Sequence, residues 1–300
     1  MRKAKDAANP GRSKIMKELR GMPAAKAILA DLQERVERLS EKSVVPKLSV
    51  VRVGAREDDL SYERGIYKRF EGVGAKVETI ELPLNVTQEE LERVIVSLNE
   101  DKSVNGVLLF RPLPKTLDEI RIKSLLAEEK DVDCLTSAND AHLFAGEKKG
   151  YPPCTPQAVM EILEYYGIDL TGKKVTVVGR SMVVGKPVAM LLLSKNATVT
   201  ICHTKTKNLQ EECRNADIIV ACAGVPKMIT SEYVHEGQVV IDVGIHMVDD
   251  KLCGDVDYDK VSEIVDAITP VPGGVGSLTT TVLLKHTIMS AEERVSCLQK

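Results

Sequence analysis

Short apolar segments alternating with amphipathic helical stretches constrain this chain most, because a strand–helix–strand succession commits a chain to parallel pairing with crossover helices. In the first half, Leu48–Val53, Lys76–Leu82 and Val104–Phe110 read as strands, the last stopped by Pro112 and Pro114. Between and around them, helices are predicted from Pro23, where Ile28, Leu32, Val36 and Leu39 recur at helical spacing, and over Ser61–Gly72, Gln88–Leu98 and Leu117–Leu126. The second half repeats the theme, with strands at Lys173–Val178, Ala197–His203, Ile218–Ala223 and Val239–Val243 and helices at Ser181–Leu193 and Leu209–Asn215. With 300 residues the chain has room for two domains of roughly 150 each. The expected architecture is therefore α/β in two domains with a cleft between them. Residues 1–150 form an N-terminal catalytic unit, and 151–277 form a doubly wound, Rossmann-type nucleotide-binding unit. An apolar helix, Leu278–Ser290, within the closing segment 278–300 packs back on the first. Pro152, Pro153 and Pro156 bracket Cys154 and Thr155 at the crossing, where Thr155 is predicted to cap the helix Pro156–Tyr166. Residues 1–20 carry seven Lys or Arg against two acids without an apolar period, and a frayed arm is expected there.

The strand Lys173–Val178 runs into Gly179-Arg180-Ser181-Met182-Val183-Val184-Gly185 and then a helix. Such a turn points backbone N–H groups and a helix dipole at an anion. Gly179 supplies the tight turn and Gly185 a close approach of helix and sheet, while Ser181 stands where the usual fingerprint has its second Gly. An NAD site places Asp or Glu about 20 residues on, at the end of the second strand. Here that stretch reads Cys202-His203-Thr204-Lys205-Thr206-Lys207, with no acid. Arg180, Thr204 and Lys205 suit a 2′-phosphate instead, so NADP is the expected dinucleotide, with NAD remaining open.

Composition removes other classes. Net charge is −3, which offers no broad basic face to nucleic acid or an anionic membrane. There is no Trp and only three Phe, too few for a base-stacking platform. No apolar run approaches the ~18 residues of a membrane span, and no secretory leader is recognised. Seven scattered cysteines without a C-x-x-C pair read as reduced thiols of a cytoplasmic protein, with no zinc site among them.

Two further stretches carry chemistry. Ile268-Thr269-Pro270-Val271-Pro272-Gly273-Gly274-Val275-Gly276-Ser277 combines fixed and permissive backbone positions, and a ligand is expected against it. Ser277 is placed to cap the next helix. Asp131 and Asp133 flank Val132, so only one of them faces a cleft if the segment is extended.

Lys130-Asp131-Val132-Asp133, Pro153-Cys154-Thr155-Pro156, Val178-Gly179-Arg180-Ser181, Ala197-Thr198-Val199-Thr200, Val240-Ile241-Asp242-Val243-Gly244-Ile245 and Ile268–Gly276 stand in this order. Together they resemble the methylenetetrahydrofolate dehydrogenase/cyclohydrolase family, from about Pro23 to the last helix. The resemblance implies oxidation of 5,10-methylenetetrahydrofolate to the methenyl form with NAD(P), often followed by hydrolysis to 10-formyltetrahydrofolate. It also implies a homodimer through the nucleotide-binding unit. Residue by residue, it assigns Gly179, Arg180, Ser181 and Ile245 to the cofactor and Asp133 to the pterin. Tyr62 matches the aromatic beside the pterin, and Pro272, Gly273, Gly274, Val275 and Gly276 the loop over the substrate.

Two positions depart. The family's catalytic Lys, four residues after the Tyr, is Ile66 here, and the family's Gln is Phe110, followed by Arg111. Lys68 and Arg111 are the candidate replacements. However, Ile66 and Lys68 lie roughly 200° apart around a helix, and a guanidinium is a poor general base. The expected activity is thus a dehydrogenase with hydrolysis weak or absent. The rivals are a fully bifunctional enzyme using Lys68 or Arg111, and a non-catalytic folate- or dinucleotide-binding protein.

Overall fold

The computed structural model describes residues 16–298. In chain order the elements are β1 (Lys17–Glu18), α1 (Gly21–Glu41), β2 (Lys47–Val53), α2 (Glu57–Glu71), β3 (Lys76–Leu82), α3 (Gln88–Glu100), β4 (Gly106–Leu109), α4 (Glu119–Leu125), α5 (Ser137–Ala145) and α6 (Cys154–Tyr165). They continue with β5 (Lys174–Val178), α7 (Gly185–Ser194), β6 (Thr198–Cys202), α8 (Leu209–Arg214), β7 (Ile218–Ala221), β8 (Val239–Asp242), β9 (His246–Val248), β10 (Lys251–Cys253), α9 (Tyr258–Val261), β11 (Ala267–Ile268) and α10 (Thr279–Leu298).

Three parallel strands form a small sheet in the order β3-β2-β4, with Val51 opposite both Ile80 and Leu109. A larger parallel sheet runs β1-β11-β8-β7-β5-β6. In each sheet the chain leaves one strand to its neighbour on one side and later returns on the other. Those strands are β2 and β5, and the crevice beyond their carboxyl ends is where such sheets bind ligands. Gly54 follows one and Gly179 the other. The sheets are joined by one core. Leu32, Val50 and Ile66 from the first part, Val175, Val188 and Val220 from the second, and Val282, Leu284 and Ile288 of α10 belong to the same buried cluster. α10 is buried on most of its circumference and packs against α1, α2 and α6.

Local differences have local causes. Residues 17–18, expected in a frayed arm, pair in parallel with β11 and extend the large sheet, because Leu19 beside them is fully buried. The rest of that arm, 1–15, lies outside the described residues. Helix α6 starts at Cys154, two residues before the expected Pro156, with Pro153 as its N-cap and no capping bond from Thr155. Helix α7 starts at Gly185 because the Ser181 side chain takes the Val184 N–H at 3.1 Å and holds the preceding turn open. The chain makes a 3-10 turn at Val275–Ser277 before α10. Among the described residues, no helix is long and apolar enough to cross a membrane.

Candidate active site

At the end of β5, Gly179 holds φ +141°, and a Cβ there would lie 2.3 Å from the Cys222 carbonyl oxygen. A Cβ on Gly185 would lie 2.3 Å from the Gly179 carbonyl oxygen. Both side chains are therefore excluded, and the turn leaves a cradle of bare backbone at the start of α7 that suits a pyrophosphate. Ser181, Arg180, Thr204 and Lys205 are all exposed around this turn and the end of β6. No carboxylate stands between Cys202 and Lys207.

Across the cleft, Tyr62 on α2 and Phe110 after β4 are paired, ring centroids 6.0 Å apart and planes tilted by 45°. Ile66 lies one helical turn beyond Tyr62, fully buried, and Phe110 is 8% exposed. Burial chiefly, with the acidic groups of Cys154 and Asp133 beside it, pushes the Tyr62 phenol far up, while a hydrogen bond with Thr279 opposes this. Asp133 accepts the Cys154 backbone N–H at 2.8 Å. Burial also raises the Asp133 carboxyl above the usual carboxylate range, against its bonds from Cys154. A half-buried carboxylate with one backbone partner has lone pairs left for a ligand's donors.

The loop that presents Asp133 is pinned from several sides. Asp131 turns inward and accepts from the Leu135 and Thr136 N–H groups, each at 2.7 Å, and from Asn139 Nδ2 at 2.9 Å. The two aspartates thus face different ways, as their spacing requires, and Asp131 is spent on the loop itself. The buried Lys130 ammonium donates to the carbonyls of Leu98, Asn99 and Asp101, closing the end of α3. From α10, His286 Nδ1 lies 2.9 Å from the Val132 carbonyl, so that nitrogen is the donor. Burial lowers the imidazole to about 4, which keeps it neutral at physiological pH.

Lys68 is not brought to this cleft. It is exposed on a different face of α2, lining a groove toward α1. Arg111 is at the cleft rim and influences Asp133, but its Nη1 pairs with Glu119 Oε1 at 3.4 Å. Its carbonyl accepts from Arg56 at 3.1 Å, and Arg56 in turn forks onto Asp59. Cis peptides precede Pro112 at this rim and Pro272 in the facing loop. That loop, Pro270–Ser277, lines a recess of about 270 Å³ with Asp242, Ile245 and Leu252. Ile245 is 62% exposed, with its Cδ1 3.2 Å from where a Gly276 Cβ would sit.

Three contributors escape the sequence reading: Thr279, whose hydroxyl favours the ionised Tyr62; the Cys154 N–H on Asp133; and Glu119, which occupies Arg111. Only Cys154 left a signal, through the Pro153-Cys154-Thr155-Pro156 motif.

A parallel sheet with a glycine cradle at its switch point, facing a buried aromatic and a ligand-ready carboxylate, defines a two-unit α/β dinucleotide-dependent enzyme. Residues 19–133 match the family model "Tetrahydrofolate dehydrogenase/cyclohydrolase, catalytic domain", and 153–295 match "Tetrahydrofolate dehydrogenase/cyclohydrolase, NAD(P)-binding domain". A curated relative from Carboxydothermus hydrogenoformans, "Bifunctional protein FolD", is 55% identical over 281 residues, 93% of this chain and 98% of its own length. Its counterpart of the same name from Clostridioides difficile is 53% identical over 275 residues, covering 91% and 96%. The crystal structure of bifunctional FolD from Campylobacter jejuni superposes with a TM-score of 0.91 at 40% identity, over 93% of this chain and 99% of that one. A Trypanosoma brucei FolD complexed with NADP and an inhibitor gives 0.88 at 38%, covering 93% and 98%. The chain belongs to the tetrahydrofolate dehydrogenase/cyclohydrolase family. It is a methylenetetrahydrofolate dehydrogenase with an NAD(P)-binding domain, which sets aside the non-catalytic rival.

Proposed function

We propose that this enzyme oxidises 5,10-methylenetetrahydrofolate to the methenyl form with NADP and hydrolyses the product slowly or not at all. The observation that carries this is Ile66, fully buried one turn from Tyr62 where the family pattern has its amine. Asp133 receives the pterin N3–H and 2-amino group as two parallel donors. Tyr62 packs beside the ring, and Pro272–Gly276 covers it. The dinucleotide, seated with Gly179, Arg180, Ser181, Gly185, Thr204 and Ile245, supplies the hydride acceptor. Hydride transfer needs positioning above all, because the substrate's own N5 and N10 lone pairs stabilise the developing cation. Hydrolysis needs an activated water, for which a positioned acid–base group contributes ~10²–10⁴-fold. Ile66 and Phe110 offer none, Lys68 faces elsewhere and Arg111 is held by Glu119. The bifunctional names of the 55% and 53% identical relatives favour a second reading, in which Arg111 serves hydrolysis.

Mixing enzyme with methylenetetrahydrofolate and NADP, with NAD in parallel, separates the readings. Expected are faster turnover with NADP and methenyl absorbance that rises with NADPH, then decays only at its spontaneous rate. Ile66→Lys is expected to speed methenyl loss by about 10²-fold. Reduced dinucleotide forming without lasting methenyl, and methenyl persisting only in an Arg111→Ala variant, would establish the second reading instead.

A cytoplasmic homodimer fits the remaining features. All seven thiols are free. β6 is an uncovered sheet edge with Ile201 36% exposed, and the β9–β10 hairpin exposes Met247, Val248 and Leu252. Light scattering should give the mass of two chains, and Ile201→Lys should shift it toward one. A wild-type monomer at micromolar concentration removes the dimer.

A further inference from the structure

The recess bounded by Ile245, Leu252 and the Pro270–Ser277 loop has one wall that very little holds in place. Beyond β8 the chain leaves the large sheet and folds into the β9–β10 hairpin, a two-stranded ribbon that pairs only with itself. Such a ribbon is marginally stable alone. Met247 and Leu252 are exposed, so apolar burial adds little to it. Among the described residues, 246–253 make a single hydrogen bond to a residue outside the hairpin, from His246 Nε2 to Asp255 Oδ1 at 2.7 Å. A carboxylate only accepts, so this nitrogen carries the proton.

The anchor at the other end of that bond is firm. Asp255 is fully buried, and its Oδ2 accepts the Gly224 N–H at 2.9 Å. Its own N–H donates to Asp242 Oδ1 at 2.9 Å, the same oxygen that takes the Gly244 N–H at 3.0 Å. Asp242 Oδ2 takes the Val256 N–H at 3.0 Å. The facing loop is tied to the same place, because the Asp242 N–H donates to Thr269 Oγ1 at 2.7 Å. Both walls of the recess are thus referred to the buried Asp242–Asp255 pair, the loop through Thr269 and the hairpin through His246. Ile245 stands between two of these ties, Gly244 and His246. Its own side chain is exposed, so its neighbours fix its place and packing does not.

We propose that His246 is a positioning residue of the dehydrogenase. By tying the hairpin to Asp255, it holds Ile245 and Leu252 toward the Pro270–Ser277 loop and so sets the nicotinamide against the folate carbon. This role rests on the reading of Gly179–Gly185 as the dinucleotide cradle and of the recess as the place where cofactor and folate meet. Affinity for the dinucleotide is then set at the cradle and by Arg180, Thr204 and Lys205, away from the hairpin. The rate of hydride transfer depends instead on placement of the ring, where ~1 Å of error costs about 10²-fold. Loosening the hairpin therefore acts on the rate and leaves affinity nearly alone.

Single-turnover mixing of the enzyme–NADP complex with methylenetetrahydrofolate tests this, because the amplitude counts competent sites and the rate constant reports the hydride step. In His246→Ala the rate constant is expected to fall about tenfold at full amplitude, with NADP affinity within about twofold of wild type. His246→Gln, whose amide Nε2 can donate to Asp255 at a similar reach, should return the rate to within about threefold. An unchanged rate in His246→Ala, a loss of amplitude at the wild-type rate, or no recovery in His246→Gln overturns the proposal. A Gly179→Val variant separates the two readings. If it binds NADP as the wild type does, the cradle falls and the role of His246 with it. If it loses NADP while His246→Ala turns over at the wild-type rate, the cradle stands and only the role of His246 is struck.

Discussion

Replacing Asp133 by Asn lowers kcat/KM for the folate substrate by about 10²-fold, since two charge-assisted hydrogen bonds to one carboxylate become one neutral bond and one clash of donors. The Asn carbonyl can still accept the Cys154 N–H that the carboxylate takes at 2.8 Å, so the loop stays folded and Tm changes little. The loss appears in KM for the folate, with NADP affinity unaltered, because the dinucleotide cradle lies at the end of β5. The pH profile carries an independent signature. Burial raises the Asp133 carboxyl, and only its ionised form accepts both pterin donors. Folate affinity in the wild type therefore falls as pH drops through that raised value, earlier than an ordinary carboxylate allows. The Asn variant lacks this limb. Steady-state kinetics from neutral to mildly acidic pH measure both effects, and wild-type KM with a wild-type profile would remove Asp133 from the site.

Gly179→Val abolishes useful dinucleotide binding, an expected loss of at least about 10²-fold in NADP affinity. The position holds φ +141°, where a branched side chain is strained, and its Cβ would lie 2.3 Å from the Cys222 carbonyl oxygen and 2.8 Å from Cys222 Sγ. Backbone cannot yield as a flexible side-chain tip can, so the turn itself must move and its N–H groups no longer converge. Folate binding by calorimetry should stay within about twofold of wild type, because Tyr62 and Asp133 sit across the cleft. Unchanged NADP affinity, followed by the fluorescence of the reduced cofactor, would show that the turn is not the cradle.

These outcomes depend on features legible to different degrees in the chain. β3 occupies the predicted Lys76–Leu82 without a residue's difference, since β-branched residues, alternation and flanking Gly and Pro all agree there. The Gly179–Gly185 turn was equally plain, because only glycine satisfies both close approaches. β1 and the β9–β10 hairpin were not visible. A two-residue strand has no period to detect, and its existence depends on an edge of β11 some 250 residues away. Lys68 illustrates the limit for side chains. Helical phase placed it off the Ile66 face, but not against α1.

The sequence by itself determined the doubly wound alternation, the phosphate turn, the paired aspartates and the absence of the family's Lys and Gln, because each is written in local spacing and residue type. Tertiary structure alone decided that Asp131 is spent on its loop while Asp133 meets Cys154, that Glu119 holds Arg111, and that His246 ties its hairpin to Asp255. The physical reason is common to all three. Periodicity encodes which way a residue points within its own element, whereas its partner is chosen by how separate elements pack, and that choice belongs to the whole chain.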